Sequence, residues 1–130
     1  MRVLALDYGA ARTGVAVTDA SGTIARPLEV VVRAASDPGL ERVRQLVAEQ
    51  EVELVVVGLP LTLRGERGQQ AAETEAFVSS LRAALAVPVE TYDERFTTSL
   101  AAASPGDAPE DARAAAHLLT SYLAWASARA

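Results

Sequence analysis

The run of four apolar residues at positions 54–57, Leu-Val-Val-Val, constrains the fold of this chain more than any other feature. A strand that is apolar at every position has no side that faces solvent, so other elements must cover both of its faces. Such strands lie inside sheets that carry helices on both sides. The run therefore predicts an α/β protein in which residues 54–57 form an inner strand.

The remaining apolar patterns indicate which elements surround this strand. Alternating or apolar runs predict four further strands, at residues 3–7, 13–18, 28–32 and 88–92. Apolar residues at helical spacing predict three helices, over residues 38–50, 69–86 and from a cap at Asp107 to about residue 129, and a helical turn is expected over 98–103. Right-handed crossovers then place the later strands parallel to the first. We expect one domain over residues 1–130, with a five-stranded mixed sheet in the order 3-2-1-4-5.

Each predicted helix has an apolar side that we expect to face the sheet. In the first helix this side comprises Leu40, Val43, Leu46 and Val47. In the second it comprises Ala72, Ala76, Phe77, Leu81 and Leu85, and in the third Ala115, Leu118, Leu119, Tyr122 and Leu123. Trp125 is expected to pack in the core beside Tyr122, whereas His117 lies off the apolar side and is expected at the surface.

Composition excludes several classes of protein. Half of the chain is apolar, which is too much for a disordered protein, yet no apolar run approaches the ~20 residues of a membrane span. The chain has no cysteine, so it has no disulfide and no thiolate site. No signal-peptide pattern precedes the first strand, and we expect a cytoplasmic protein without membrane contact. The formal charge of −5 argues against a general nucleic-acid coat, but it is compatible with an enzyme whose metal-binding carboxylates act on nucleic acid.

Three carboxylates lie where the predicted topology brings element ends together. Asp7 ends the first strand within the pattern Asp7-x-Gly9-x-x-Arg12-x-Gly14, Glu94 follows the fifth strand, and Asp111 lies at the start of the last helix. A carboxylate at the end of a buried strand is costly to desolvate unless a cation meets it. Carboxylate oxygens suit Mg²⁺ or Mn²⁺, and such ions support phosphodiester hydrolysis.

Four segments of the chain, in order, resemble the motifs of the YqgF/RuvX family. They are Leu4-Ala-Leu-Asp7-Tyr-Gly9-x-x-Arg12-x-Gly14-Val-Ala-Val-Thr18-Asp19, Val56-Val57-Gly58-Leu59-Pro60-Leu61, Asp93-Glu94-Arg95-Phe96-Thr97-Thr98 and Asp111-x-x-Ala114-Ala115-x-x-Leu118-Leu119-x-x-Tyr122-Leu123. The resemblance implies an RNase H-like fold related to the RuvC Holliday-junction resolvases. It implies a divalent-metal-dependent nuclease, with Asp7, Glu94 and Asp111 as its catalytic and metal-binding acids.

The resemblance also implies a substrate. The family role is 5′-end processing of pre-16S rRNA in ribosome biogenesis, and an older assignment is Holliday-junction resolution, so RNA is favoured and branched DNA is the alternative. A non-catalytic domain that acts in ribosome assembly by binding is a second alternative. A phosphotransferase of the actin or sugar-kinase type is disfavoured, because 130 residues cannot supply the second domain that encloses ATP. The oligomeric state, monomer or weak dimer, stays open.

Arginines are the candidate substrate-binding residues, since all twelve cations are Arg. Arg12 lies beside the proposed metal site, where a phosphate would bind, and Arg64, Arg67 and Arg95 are further candidates. The family usually has a basic segment between its third and last motifs, but residues 99–110 here contain no cation. We therefore expect weak binding of nucleic acid in the absence of metal.

Each acid also has a purely structural interpretation. Asp7 could cap the turn that follows it, and Asp111 could serve only to complement the dipole of the last helix. Asp93 competes with Glu94, because adjacent residues of an extended segment point in opposite directions. The motif favours Glu94 and leaves Asp93 to cap the turn or to bind Arg95.

Overall fold

The computed structural model describes residues 1–60, 68–94 and 108–129. These residues form five strands and three helices: β1 Val3–Asp7, β2 Arg12–Thr18, β3 Ala25–Val32, α1 Asp37–Glu49, β4 Leu54–Leu59, α2 Gln69–Ala84, β5 Val89–Asp93 and α3 Glu110–Arg129. The element order agrees with the prediction. The predicted cap at Asp107 and the predicted turn over 98–103 lie outside the described residues.

The five strands form one mixed sheet in the order β3-β2-β1-β4-β5, which confirms the predicted topology. β2 pairs antiparallel with both β1 and β3, whereas β4 pairs parallel with both β1 and β5. The carboxyl ends of β1, β4 and β5 therefore lie at one edge of the sheet. Asp7 is at the end of β1 and has Gly14 of β2 as its direct neighbour across the pair.

The sheet separates two hydrophobic cores. On one face, Leu4, Val15, Val55 and Val57 pack against α1 and α2, and Phe77 is among the buried residues there. On the other face, Val3, Ala5, Ala16 and Val56 pack against Leu118 and Leu119 of α3. Because strand side chains alternate between faces, β4 contributes to both cores, as its all-apolar run predicted. Each fully buried Val or Leu contributes about 1.5–3 kcal/mol to the stability of the fold.

Helix α1 has a well-formed start. The Ser36 hydroxyl accepts a hydrogen bond from the main-chain N–H of Gly39 at 3.2 Å, and Pro38 occupies the first turn. Both features favour a helix start here, since the hydroxyl satisfies one free N–H and proline removes another. α1 spans Asp37–Glu49, so it begins and ends one residue earlier than the predicted range of 38–50.

The prediction for the buried side of α2 was partly wrong. Ala72 and Ala76 are exposed, and the buried residues are Ala71, Thr74, Phe77, Val78 and Leu81. Relative to the prediction, the helix is rotated about its axis so that Val78 lies in the core. The exposure of Ala72 and Ala76 costs little, because an alanine side chain buries only a small apolar area. The Thr74 hydroxyl donates to the carbonyl of Gln70 at 2.8 Å, so its burial leaves no donor unsatisfied.

The predicted apolar side of α3 is confirmed. Ala115, Leu118, Leu119 and Tyr122 are buried, and Leu123 is partly buried. Trp125 lies at the margin of this core rather than inside it: it is 38% exposed, with its ring 5.8 Å from that of Tyr122. His117 lies off the buried side and is half-buried. No helix in the three described ranges is both long and apolar enough to cross a membrane.

Candidate active site

Two acids from different strands meet at the sheet edge where β1, β4 and β5 end. Asp7 is the last residue of β1, and Glu94 follows β5 directly. Their side chains are hydrogen-bonded to each other, and both line a cavity of about 250 Å³. The parallel arrangement of β1, β4 and β5 explains the meeting, because parallel strands finish at the same edge.

This contact changes the protonation of both acids. Burial raises the pKa of Glu94 to about 7, and the Asp7 charge, the hydrogen bond to Asp7 and the Asp93 charge act in the same direction. Burial also raises the pKa of Asp7; the hydrogen bond from Glu94 opposes this rise, and the Asp111 charge adds to it. Two half-buried carboxylates in contact hold a proton between them more tightly than either would alone. Near neutral pH the pair therefore titrates as a unit.

Gly58 in β4 provides the space that Glu94 occupies. A Cβ atom at position 58 would lie 2.5 Å from the Oε1 atom of Glu94 and 2.9 Å from its Cγ atom. Any larger residue would push the carboxylate away from its present position. The glycine of the second motif thus allows Glu94 to reach Asp7 across the end of β4.

Gly14 in β2 plays the corresponding part for Asp111. A Cβ atom at position 14 would overlap the main-chain carbonyl of Asp111 and would lie 3.0 Å from the amide nitrogen of Ala112. The first turn of α3 therefore rests directly on β2, next to the strand pair formed by Asp7 and Gly14. This packing brings Asp111 close enough for its charge to raise the pKa of Asp7.

Arg12 lies at the rim of the site, beside the third acid. Its Nε atom is 3.5 Å from the Oδ2 atom of Asp111, and the two side chains are 69% and 42% exposed. Exposed ion pairs of this kind contribute only about 0–1 kcal/mol, so a substrate phosphate or a cation can replace either partner at little cost. The predicted phosphate-binding residue and a predicted catalytic acid are thus neighbours.

The donor atoms of the site fit a hard divalent cation. Asp7 and Glu94 present carboxylate oxygens in mutual contact, and burial raises the pKa of both groups, a cost of ionisation that a bound cation would offset. In the described ranges, however, no three His, Cys, Asp or Glu side chains are grouped tightly enough to hold one ion together. The structure brings Asp7 and Glu94 together, and Asp111 lies nearby in an ion pair with Arg12. The convergence of all three acids on one ion stays a prediction.

Several residues of the cavity were not among the sequence candidates. Besides Asp7 and Glu94, the lining includes Tyr8 and Gly9 from the first loop and Gln70, Glu73 and Thr74 from the start of α2. A sequence signal existed for both groups, since Tyr8 lies inside the first motif and positions 70, 73 and 74 share one side of a helix. Arg64, Arg67 and Arg95 lie outside the described residues.

Comparison with protein families gives a match over nearly the whole chain. The family model described as "RuvX: Holliday junction resolvase" matches residues 1–125. A protein of Rubrobacter xylanophilus is 45% identical over 130 residues, which cover 94% of this chain and 91% of that protein. Its curated name gives it, provisionally, as a pre-16S rRNA nuclease.

Proteins of two Chloroflexus species carry the same provisional name. Those of Chloroflexus aggregans and Chloroflexus aurantiacus are each 47% identical over 96 residues, or 74% of this chain. The match spans 68% of the first protein and 63% of the second, so about a third of each relative has no counterpart in the aligned part of this chain.

Solved structures show the same architecture. The RuvC of T. thermophilus in complex with a Holliday junction substrate superposes with a TM-score of 0.70 and 18% identity, over 98% of this chain and 96% of that chain. A second structure of Thermus thermophilus RuvC gives a TM-score of 0.62 and 21% identity, over 98% and 97%. At these identities the likeness concerns the fold, and it confirms the predicted RNase H-like architecture.

Proposed function

This chain belongs to the RuvX family of nucleases and resolvases, and from that premise we propose that it hydrolyses phosphodiester bonds with the help of a divalent cation. The observation that carries the proposal is the contact between Asp7 and Glu94 at the shared end of β1 and β5. Burial raises the pKa of both carboxylates, so ionisation of both reduces the stability of the fold unless a cation binds there. Perturbed acids beside a cavity are typical of catalytic sites.

The proposed metal ligands are Asp7, Glu94 and Asp111, with Mg²⁺ or Mn²⁺ as the ion. When bound, such an ion supplies Lewis-acid stabilisation of the charge that develops on a phosphoryl oxygen. Asp7 and Glu94, which already face each other, would hold the ion as deprotonated carboxylates, and Asp111 would be the third ligand. Arg12, whose pair with Asp111 is exposed, would donate hydrogen bonds to the substrate phosphate.

The proposed substrate is the 5′ region of pre-16S rRNA, with a cytoplasmic location as a corollary. Support comes from the relatives at 45–47% identity, whose names refer to this RNA. A four-way DNA junction is the second candidate, because the description of the matching family model names junction resolution. The net charge of −5 favours neither substrate, and it predicts that binding depends on the metal.

Cleavage of both substrates side by side tests the proposal. A 5′-extended 16S rRNA fragment and a synthetic four-way junction are each incubated with Mn²⁺, with Mg²⁺ or with EDTA. We expect metal-dependent cleavage of the RNA that Asp7→Asn abolishes. Asp37→Asn is the matched control, because Asp37 is an exposed acid in the first turn of α1.

Three outcomes would contradict part or all of this proposal. Paired, symmetric nicks in the junction and an intact RNA would make the chain a junction resolvase. Wild-type cleavage by Asp7→Asn would remove Asp7 from the chemistry. RNA binding without any metal-dependent cleavage would favour a non-catalytic role in ribosome assembly.

A further inference from the structure

Tyr8 is held rigidly beside the carboxylate pair. It follows Asp7 at the end of β1, and its ring stacks on that of Phe77 with the centroids 4.4 Å apart and an interplanar angle of 21°. Phe77 belongs to α2 and is only 1% exposed, so it cannot move without disturbing the core. The position of the Tyr8 ring is therefore determined by the packing of α2 on the sheet.

Only one face of this ring is covered by Phe77. Tyr8 is partly buried, yet it lines the same cavity as Asp7 and Glu94. Since Phe77 occupies one face, the cavity meets the other face or the edge of the ring. Within residues 1–60, 68–94 and 108–129, the phenol hydroxyl has no hydrogen-bond partner. The ring is thus both fixed in place and open to a ligand.

Beside the Asp7–Glu94 pair, where the proposed cation would bind, the part of the cavity around Tyr8 and Gln70 favours a flat, neutral group. The cavity's volume of about 250 Å³ lies below the ~300–1,000 Å³ of sites for drug-sized ligands, so it accommodates one ring system rather than a larger ligand. Asp7, Glu73 and Glu94 line it and repel a free anion. Gln70 supplies an amide that can donate and accept hydrogen bonds. The described lining thus offers an aromatic surface and an amide, and it contains no cation. These groups match the chemistry of a nucleobase.

We propose that Tyr8 stacks on one unpaired nucleobase of the substrate, at the nucleotide next to the scissile phosphate. The inference rests on the proposed nuclease function, because it places this base relative to Asp7 and Glu94. A base inside a duplex is covered by its stacked neighbours on both faces and cannot meet the Tyr8 ring. Tyr8 therefore makes the site selective for single-stranded RNA over duplex RNA.

Abasic substitution tests this role. Single-stranded RNA oligonucleotides that carry one abasic nucleotide, placed in turn at each position around the cleavage site, are cleaved by the wild type and by variants in Mn²⁺. In the wild type, one abasic position should lower kcat/KM about 10-fold, mainly by raising KM. A loss of about 10-fold corresponds to the free energy of one lost base–aromatic stack. For the Tyr8→Leu variant, kcat/KM on the intact RNA should already be lower by the same factor. The abasic position should then cause no further decrease.

Two variants serve as controls. Tyr8→Phe keeps the ring and the stack on Phe77, so it should retain the sensitivity to the abasic position. Trp125→Leu removes an aromatic ring that lies outside the cavity and should retain it too. If Tyr8 served only to pack against Phe77, Tyr8→Leu would lower the melting temperature but keep the abasic sensitivity of the wild type, and that result would overturn the inference.

A binding measurement separates this inference from the proposed function. Fluorescence polarisation with the same oligonucleotides, at low salt with Ca²⁺ in place of Mn²⁺, does not require cleavage. If the wild type cleaves neither the RNA nor the junction, the nuclease proposal fails and binding alone decides the role of Tyr8. Loss of the abasic effect in Tyr8→Leu would then support stacking, and equal abasic effects in wild type and Tyr8→Leu would overturn it.

Discussion

Gly14 of β2 lies so close to Asp111 of α3 that a Cβ atom at position 14 would overlap the main-chain carbonyl of Asp111. The same glycine is the strand partner of Asp7. One residue without a side chain therefore sets the distance between two of the proposed catalytic acids. Its place in the first motif is explained by this contact with the last motif, about 100 residues later in the chain.

Gly14→Ala should damage both the fold and the activity. The added methyl group meets main-chain atoms, which cannot move away as a flexible side chain can, so α3 must shift. We expect a loss of about 1–3 kcal/mol in the free energy of unfolding, measured by urea denaturation, and a strong loss of cleavage. Gly68→Ala is the matched control, because a Cβ atom there meets nothing within 4 Å in the described structure. Equal stabilities of the two variants would contradict the packing that we describe.

Gly58→Ala should separate activity from stability. Here the new methyl group meets mainly the Glu94 side chain, which can rotate away. The carboxylate would then leave Asp7, and a displacement of about 1 Å can cost roughly 100-fold in rate. We expect such a loss in kcat together with a weaker affinity for Mn²⁺ by calorimetry. A melting temperature that falls as far as in Gly14→Ala would show that the contact is structural instead.

The protonation of Glu94 should make the metal-free protein less stable at higher pH. Its pKa is raised from 4.5 to about 7 in the fold, so the native state holds this proton more tightly than the unfolded chain. The contribution of this bound proton to the free energy of unfolding is present in full below pH 4.5, and it is lost as the pH rises to about 7. Above pH 7, Glu94→Gln should therefore be more stable than the wild type in EDTA.

Urea denaturation from pH 4 to pH 8.5 measures this difference. Addition of Mn²⁺ at pH 8 should stabilise the wild type more than Glu94→Gln, since only the wild type keeps both carboxylates of the pair. Stability curves that run parallel over the whole pH range would show that Glu94 is not the group that titrates.

Arg12→Ala should weaken substrate binding and leave the fold unchanged. The side chain is 69% exposed, and its ion pair with Asp111 contributes little to stability, so unfolding should change by less than about 0.5 kcal/mol. Cleavage should fall strongly, and the salt dependence of RNA binding should lose about 0.7 in slope, which corresponds to one phosphate contact. Arg44→Ala is the control, because Arg44 pairs with Glu41 within α1. An unchanged salt slope would exclude Arg12 as a phosphate contact.

The sequence by itself determined the sheet order and most of the core. The run at 54–57, the alternation in β2 and the handedness of crossovers suffice for the arrangement β3-β2-β1-β4-β5, because burial of apolar surface follows local patterns. The family was also predictable, since four motifs occur in order and the family model matches residues 1–125. The sequence placed Asp7, Glu94 and Asp111 at element ends that share one region of the fold.

Only the tertiary structure decided which side chains meet. The rotation of α2 was mispredicted through Ala72 and Ala76, because small residues bury too little area to determine which side faces the sheet. The contact of Asp7 with Glu94 depends on the space at Gly58, and the pairing of Arg12 with Asp111 depends on how α3 rests on Gly14. Such contacts join residues that are distant in the chain, and they are governed by ångström-scale packing that leaves no periodic pattern in the sequence.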